Sequence, residues 1–432
     1  MIHHNTKLVV GLAAVLLLGS SSIALAQSKS VTVSGGALVF ALPAYASAPG
    51  VVIAGTVSVD GKVDVDPVGV FDGQIGYSFS TFFGGGNNTT TQTFTGPGVL
   101  TVPGYSTPTG TIDLATTSTG VNAAASSDIT RNGQNQFAGD PNPPLTAVPG
   151  DADVYGILPG NGANPGAFYY GGIFRGGPND SAGAFGAIGA PDGGIFIASG
   201  DLTGLTLTTS TTRYVYGANG DITLGLGGSD TGDTKITGFA GPSFKLMGQN
   251  VVTDTTVDIP ERASGAAFPL YVDSRSETLN SFYFGGLAGV NLSHQVSPDL
   301  TVNAGGKVGL YAVNSTFQGS ETYTVGSQTA TLANGPSASD MGMAYSLAVN
   351  GGVTKKINEK MDFGVNLGAD FLSRVATVTK STASPTVSTT GYGPGSDDGT
   401  VAYNTPQTFA APILTFGSMI TWRASASLTG HF

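Results

Sequence analysis

The sequence predicts an all-β protein, an antiparallel up-and-down β-barrel that crosses a membrane. Three observations lead to this fold class. Charged residues are 10% of the chain and 66 of its 432 residues are glycine, whereas charged residues make up about 25% of soluble globular proteins. Segments of about ten residues alternate apolar with polar side chains, as in strands that face lipid on one side and a lumen on the other. Short polar turns also alternate with long loops, which is typical of such barrels.

The first residues predict export from the cytoplasm. A polar start that contains Lys7 leads into an apolar run, Leu8 to Leu18, and then into small residues that end at Ala24-Leu25-Ala26. This is the pattern of a cleaved secretory signal, so we expect a signal peptide over residues 1–26. The apolar run is too short to span a bilayer as a helix, which needs about 20 residues.

The next segment, residues 27–66, has two interpretations. Valines at positions 57, 59, 63 and 65 flank Asp60-Gly61, and an Asp-Gly pair between alternating apolar residues is typical of a hairpin turn. The segment is therefore either an extra hairpin or an N-terminal segment in the periplasm. The barrel itself is expected over residues 67–432.

Eight alternating segments predict eight strands. In one of them Phe282, Phe284 and Val290 share a face, opposite Tyr283 and Asn291. The predicted strands are 68–81, 212–226, 234–247, 281–293, 300–313, 342–354, 361–375 and 412–432. If the chain starts in the periplasm, every short turn then falls in the periplasm and every long loop falls outside.

The long stretch 82–211 is predicted to be an extracellular insertion. It is rich in Gly, Pro, Asn and Thr, with apolar islands at 167–174 and 194–198. Structureless loops of this length are rare in folded domains. The alternative is that the stretch contains further strands and that the barrel has ten to twelve strands instead of eight.

The last segment is the most specific part of the pattern. Trp422, Leu428 and Phe432 share its apolar face, and Arg423 lies on the other face. From Trp422 to Phe432 a tilted strand rises about 25 Å, the height of the lipid-facing band of a membrane barrel. We therefore expect Trp422 and Phe432 to lie in the two aromatic girdles at the borders of the lipid.

This closing strand resembles that of the outer-membrane β-barrel proteins of Gram-negative bacteria, whose chains commonly end in alternating apolar residues and a terminal Phe. Residues 279–314 also resemble the later strands of porin-like and major outer membrane protein-like families. The resemblance implies a place in the outer membrane of a Gram-negative bacterium and contact with its lipid. It also implies that the barrel-assembly machinery recognises the strand that ends at Phe432.

Charged side chains on the polar faces are expected to point into the lumen. They are Asp72, Asp221, Lys245, Lys307, Asp362, Asp370, Arg374 and Arg423. In an eight-stranded barrel, which is just wide enough for side chains to fill, they would form a salt-bridged core that blocks the lumen. In a wider barrel they would line a pore and set its ion preference. Asp370 and Arg423 are predicted to form an ion pair, since each lies about nine residues from the periplasmic end of its strand.

The sequence predicts no enzyme. After the signal segment the histidines are His294 and His431, and both fall at the periplasmic end, away from the outer rim where a barrel enzyme meets its substrate. No hydrolase, zinc-protease or nucleotide-binding motif occurs, and we expect no cofactor. The absence of cysteine excludes a thiolate metal site, and no metal site is predicted. A net charge of -11 argues against a nucleic-acid partner.

Two functions fit these observations. In the first, the protein is a narrow porin, through which small solutes or ions could pass, or a structural wall protein. In the second, it is a surface adhesion or display protein, in which residues 82–211 are the working part and the barrel is an anchor.

Overall fold

The computed structural model describes residues 28–117, 124–132, 134–135, 145–147, 153–175, 182–261, 267–379, 385–390, 399–403 and 412–432. The predicted signal peptide, residues 1–26, lies outside the described residues. Within these ranges no helix is long and apolar enough to cross a membrane.

Ten antiparallel strands form a closed ring. They are β1 (Ser28–Ala41), β2 (Val51–Asp64), β3 (Gln74–Thr93), β4 (Thr206–Asp230), β5 (Thr234–Asp258), β6 (Tyr271–Ser297), β7 (Leu300–Val325), β8 (Ser337–Asn358), β9 (Met361–Thr379) and β10 (Ile413–His431). Each strand pairs with its neighbours in chain order, and β10 pairs with β1. Because the ring has no edge strand, its backbone groups pair between strands, as a membrane requires.

The expectation of eight strands is wrong. The two additional strands are β1 and β2, which come from residues 27–66 and not from the long stretch 82–211. Asp60-Gly61 lies inside β2, opposite Ser78 and Tyr77, and not in a turn. The apolar positions of β1 and β2 are mostly Val, Ala and Gly, whose small side chains give a weak alternation in the sequence.

The two ends of the barrel differ in the length of their connections. At the end where β10 finishes, the connections span 65–73, 231–233, 298–299 and 359–360. At the other end they span 42–50, 94–205, 259–270, 326–336 and 380–412. In outer-membrane barrels the short turns face the periplasm, and the two ends are named periplasmic and extracellular accordingly.

Strands β4 to β7 are much longer than the alternation predicted. They have 25 to 27 residues, and most of the additional residues lie at the extracellular end. There Thr and Ser occupy both faces, as in the Thr89–Ser210 and Thr91–Thr208 contacts of 3.2 Å between β3 and β4. Threonine favours extended strands without marking a lipid-facing side, so pairing continues where the apolar alternation stops.

Below these extensions the outward side chains of the ring are apolar. Val290, Leu310 and Leu367 have 56%, 59% and 63% of their surface exposed, whereas the inward Tyr283 is fully buried. A continuous apolar band of this kind is unfavourable in water and suits contact with lipid. The face that the sequence assigned to lipid is therefore the outer face of the ring at Val290 and Leu367.

A two-layered cap, formed by two small sheets, lies at the extracellular end. The five-stranded sheet runs in the order Pro97–Pro103, Gly193–Asp201, Ala182–Ala190, Phe168–Arg175 and Val154–Pro159. The six-stranded sheet runs in the order Val387–Thr390, Gly399–Tyr403, Thr111–Thr117, Ala124–Arg131 and Gln134–Asn135, and Leu145–Ala147 also pairs with Ala124–Arg131. One further strand, Gln328–Thr331, pairs with the end of β7.

The five-stranded sheet is the middle layer of this end of the molecule. One of its faces packs on the barrel through Tyr271 and Tyr323, and the other packs on the six-stranded sheet through Ile112 and Ile129. All nine residues of its central strand Ala182–Ala190 are buried, as expected for a strand covered on both faces. Apart from the ends of β3 and β4, the strands within the long stretch 82–211 thus build the cap and not the ring.

Candidate functional site in the barrel interior

The barrel interior has three levels between the periplasmic end and the cap. The lowest is a charged cavity, the next is an apolar layer, and the highest is a buried ionic cluster beneath the cap. The side chains at each level come from the inward-facing positions of the strands, because successive residues of a strand point alternately outward and inward.

The cavity has a volume of about 280 Å³. Serine and asparagine side chains form much of its wall, together with six charged side chains. The charged residues are Asp60 on β2, Asp221 on β4, Lys245 on β5, Lys307 on β7, Asp370 on β9 and Arg423 on β10. Five of these six are predicted lumen charges, and Asp60 is not, since the sequence leaves residues 27–66 open between an extra hairpin and a periplasmic segment.

One direct ion pair lies in this cavity. Lys307 Nζ is 2.7 Å from Asp221 Oδ2, and the Ser243 hydroxyl donates to the other carboxylate oxygen at 2.6 Å. The ammonium group of Lys245 lies 5.7 Å from the ring centre of Tyr311, within the range of a cation–π contact. Asp221 is therefore held on both oxygens, by an ammonium and by a hydroxyl.

Three predicted lumen charges do not line the cavity. Asp72 is exposed in the turn before β3, where its carboxylate accepts a hydrogen bond from the Gln74 amide at 3.0 Å. Asp362 lies at the periplasmic end, 2.8 Å from His431 Nε2. The predicted first strand began too early, at residue 68, and this placed Asp72 in a strand that starts at Gln74.

Arg374, the third of these, lies at an irregularity of β9. Its φ angle is 56°, and the register with β10 shifts between Leu372 and Val375. The side chain turns to the neighbouring strand, where Nη2 lies 3.0 Å from Asp340 Oδ2. A strict two-residue alternation cannot predict the direction of a side chain beyond such a bulge.

The predicted ion pair between Asp370 and Arg423 does not form. Both residues line the cavity, but Asp370 lies opposite Thr421, and Arg423 lies opposite Gly368. The register therefore differs by two residues from the predicted one. The connection between β9 and β10, residues 380–412, is too long to fix the register of these strands, unlike a tight hairpin turn.

An apolar layer crosses the lumen above the cavity. Every one of the ten strands contributes at least one buried side chain to it. The layer contains Leu38, Phe40, Leu42, Val52, Ala54, Phe82, Val215, Met247, Tyr283, Tyr311, Val313, Ala344, Leu372, Val375 and Met419. Phe40 and Phe82 are 2% and 9% exposed, and their ring centres are 5.1 Å apart. Apolar side chains therefore separate the polar cavity from the region beneath the cap.

The ionic cluster above this layer is centred on Arg275. Its guanidinium contacts Glu321 Oε1 through Nε at 2.6 Å and Asp273 Oδ2 through Nη2 at 2.7 Å. Nη2 also donates to the Pro103 carbonyl of the cap at 2.5 Å. Asp273 and Glu321 are each 1% exposed. Such buried charges are tolerated when they are paired and hydrogen-bonded.

Two tyrosines tie loops to this cluster through Glu277. Tyr45, from the β1–β2 connection, donates to Glu277 Oε2 at 2.7 Å, and Tyr105, from the cap, donates to Oε1. Burial and the adjacent carboxylate hold the pKa of both hydroxyls well above the usual value, so both remain donors. The Tyr105 amide also donates to Glu321 Oε2 at 2.7 Å. The cluster therefore fastens the cap to the barrel.

The ionic cluster was missed in the sequence, although a signal for it exists. Asp273, Arg275 and Glu277 alternate along β6, so they share one face of the strand. Ser274 and Ser276 lie between these three residues, so no apolar face marks the run as a strand, and the predicted strand begins only at residue 281. The buried Arg213 was likewise missed as a structural residue, and its guanidinium donates to the carbonyls of Pro43 and Pro49 at 3.2 and 3.0 Å.

The two histidines of the described residues lie at the periplasmic end of the barrel. His294 contacts the Thr234 hydroxyl at 2.8 Å, and His431 contacts Asp362. Among the residues that the structure describes, no group of three His, Cys, Asp or Glu side chains is arranged to hold a metal ion.

Trp422 lies on the outer face of β10, and Phe432 follows the end of that strand. Trp422 is 51% exposed, opposite Val39 of β1 and Ala369 of β9. Above it the outward face continues with Ile420 and then with the polar Ser418. Phe432 follows β10 at the periplasmic end and is 75% exposed. The two residues are thus separated along the barrel axis by the apolar part of β10.

Comparisons with known proteins find no family and only remote similarity to solved structures. No protein-family model and no curated protein matches the chain. Among solved structures, the outer membrane protease OmpT from Escherichia coli is similar at 9% identity over 94% of this chain and 97% of its own, with a TM-score of 0.30. The toluene transporter TodX of P. putida and a Pseudomonas aeruginosa FadL homologue are each 8% identical over 93% of this chain and 90% of their own, with TM-scores of 0.16 and 0.15. The assignment of an outer-membrane β-barrel fold therefore rests on the closed ring and apolar outer band of this chain itself.

Proposed function

We propose that this protein is a non-conducting barrel of the Gram-negative outer membrane that displays its cap at the cell surface, and that it is not an enzyme. The apolar layer carries the proposal, since all ten strands place a buried side chain in it. A standing pore requires a continuous polar path, and here the polar cavity ends at this layer. The ionic cluster supports the same proposal, because it fixes the cap to the barrel through residues of both.

The alternative function is a narrow porin. It is favoured by the charged cavity, whose Asp, Lys and Arg side chains resemble the lining of an ion pathway. A pore would require that the apolar layer and the cap move aside together. Electrical recording separates the two functions. Purified protein inserted in planar bilayers should produce no steady current steps, and regular steps from the unmodified chain would establish the porin instead.

Single cysteines offer a second test, because the natural chain contains none. Ser58 lines the cavity, Gly162 is exposed in the cap, and Glu359 is exposed in the β8–β9 turn. With a membrane-impermeant maleimide on intact cells, Gly162→Cys should be labelled, whereas Ser58→Cys and Glu359→Cys should not. Once the outer membrane is opened, the two protected positions should react.

Labelling of Ser58→Cys on intact cells would contradict a closed lumen. Failure to label Gly162→Cys, with the protein present in the outer membrane, would contradict display of the cap. Because the two outcomes concern different positions, each part of the proposal can fail alone.

A further inference from the structure

The charges of the cavity are incompletely paired. Asp221 and Lys307 form an ion pair at 2.7 Å. Two carboxylates, Asp60 and Asp370, and two cations, Lys245 and Arg423, line the same cavity. None of these four makes an ion pair within 4.0 Å with another residue that the structure describes. The cavity therefore holds two cations and two carboxylates that are not in direct ion pairs, with Asp60 accepting a hydrogen bond from the Ser58 hydroxyl at 3.4 Å and Lys245 facing the Tyr311 ring.

Two polar atoms on β10 also lack hydrogen-bond partners among the described residues. Thr421 is 4% exposed and lines the cavity, yet its hydroxyl has no hydrogen bond with the described residues. The Nε of Arg423, two residues along the strand, likewise lacks an acceptor among them. Buried donors and acceptors in folded proteins are usually paired, so two such groups beside one cavity indicate a place for a polar occupant.

Access to the cavity is favoured from the periplasm. The inward positions nearer that end are small or polar, among them Thr32, Gly76, Gly364 and Ser427. In the other direction the apolar layer closes the lumen. An occupant would therefore enter and leave between the short turns.

We propose that this cavity binds a small zwitterionic solute that carries one carboxylate and one ammonium group. The carboxylate would lie against Arg423 and Lys245, and the ammonium against Asp370 and Asp60. A simple anion or cation would pair with one set of charges and leave the other set unpaired, which is unfavourable in a confined site. A zwitterion satisfies both sets, and its affinity therefore depends on carrying both charges. The proposal is independent of surface display by the cap.

Calorimetric titration of the purified full chain in detergent micelles tests the charge requirement directly. L-glutamine is the zwitterionic probe, butyrate supplies the carboxylate alone, and butylammonium supplies the ammonium alone. Saturable heat is expected with glutamine and not with either single-charge probe at equal concentration. No saturable heat with glutamine, or equal binding of butyrate or butylammonium, would overturn the proposal.

Two substitutions make the test specific to the cavity. Asp370→Asn should weaken glutamine binding roughly tenfold or more and improve binding of butyrate, because one negative charge is removed. Arg423→Gln should weaken glutamine binding to a similar degree and improve binding of butylammonium. Glutamine binding that both variants retain unchanged would place the probe elsewhere on the protein and refute the assignment.

A matched control removes a carboxylate outside the cavity. Asp72 is exposed in the turn before β3, so Asp72→Asn should leave glutamine binding unchanged. The shift in electrophoretic mobility on heating verifies that each variant is folded. If a variant does not fold, the relative affinities of the natural chain for glutamine, butyrate and butylammonium still test the requirement for both charges.

Discussion

Lys307 Nζ lies 2.7 Å from Asp221 Oδ2, and this contact joins β7 to β4, which are not neighbours in the ring. The pair fixes the distance between two walls of the barrel at the level of the cavity. Removal of one partner leaves the other charge unpaired in a confined site, which typically costs about 3 to 5 kcal/mol. We expect Asp221→Asn and Lys307→Met each to lower the free energy of unfolding, and the double variant to lose much less than the sum. Urea refolding titrations in lipid vesicles measure the three values.

Asp370 and Arg423 provide the comparison pair for this double-mutant cycle. Their strands are neighbours, but their positions differ by two residues in register, and no ion pair within 4.0 Å joins them in the described structure. The coupling energy between Asp370→Asn and Arg423→Gln should therefore be smaller than that between Asp221 and Lys307. An equal or larger coupling energy would mean that the two strands pair in the register predicted from the sequence, with Asp370 opposite Arg423.

A charged side chain on the outer face of the ring should lower the stability of the protein. Leu367 and Val290 point outward with 63% and 56% of their surface exposed. Arg at a lipid-facing position costs roughly 2 to 4 kcal/mol near the bilayer midplane, so Leu367→Arg and Val290→Arg should lower stability in vesicles by about that amount. Asn291→Arg, on the opposite face of the same strand as Val290, should be tolerated. Equal losses at Val290 and Asn291 would contradict the assigned faces.

Loss of Phe432 should block assembly. The residue follows the closing strand and is 75% exposed at the periplasmic end, where an aromatic ring suits the border of the lipid. We expect the chain that ends at His431 to be absent from the outer membrane, whereas Phe432→Tyr should assemble. Immunoblots of membrane fractions, run with and without heating, measure the folded form. Normal amounts of the truncated chain would refute this expectation.

Glu277 should control how firmly the cap is held. It accepts hydrogen bonds from Tyr45 and Tyr105, and a buried hydroxyl without its partner costs roughly 1 to 3 kcal/mol. Glu277→Ala should therefore accelerate amide hydrogen exchange in residues 42–50 and 97–105. Glu261→Ala, at an exposed loop position, should not. Unchanged exchange in both loops of the Glu277 variant would mean that other contacts hold the cap.

The six-stranded sheet of the cap should be less stable at neutral than at acidic pH. Asp113 and Asp128 lie directly opposite each other on neighbouring strands. Burial raises the pKa of both carboxyls above the ordinary value of 3.8, and the facing Asp128 raises that of Asp113 further. Since the folded-state pKa values lie above the unfolded ones, this contribution to stability is fully present below the unfolded pKa and is lost as pH rises through the folded pKa.

Asp128→Asn isolates this effect from other titrating groups. The substitution should stabilise the sheet at pH 7 by roughly 0.2 to 1 kcal/mol, the cost of like charges on facing strands. Near pH 4 the gain should be smaller. Hydrogen exchange of residues 111–117 and 124–131 at both pH values provides the measurement, and a gain that does not depend on pH would contradict the assignment.

The sequence by itself determined which face of each recognised strand meets lipid and which end of the barrel has the short turns. Val290 and Leu367 point outward because side chains alternate with a period of two along any strand, and this period is readable without knowledge of the neighbouring strands. The sequence also identified five of the six cavity charges, since each lies on the polar parity of a recognised strand.

Only the tertiary structure decided the number of strands, their register and the closure of the lumen. β1 belongs to the ring because it pairs with β10, about 400 residues away in the chain, and no local pattern encodes such a pairing. The register of Asp370 against Thr421 continues without interruption from the pairing of Met361 with Gly430 at the periplasmic end, and the long connection from β9 to β10 does not fix it. The apolar layer takes side chains from all ten strands, so it exists only once the ring has closed and placed them at one height.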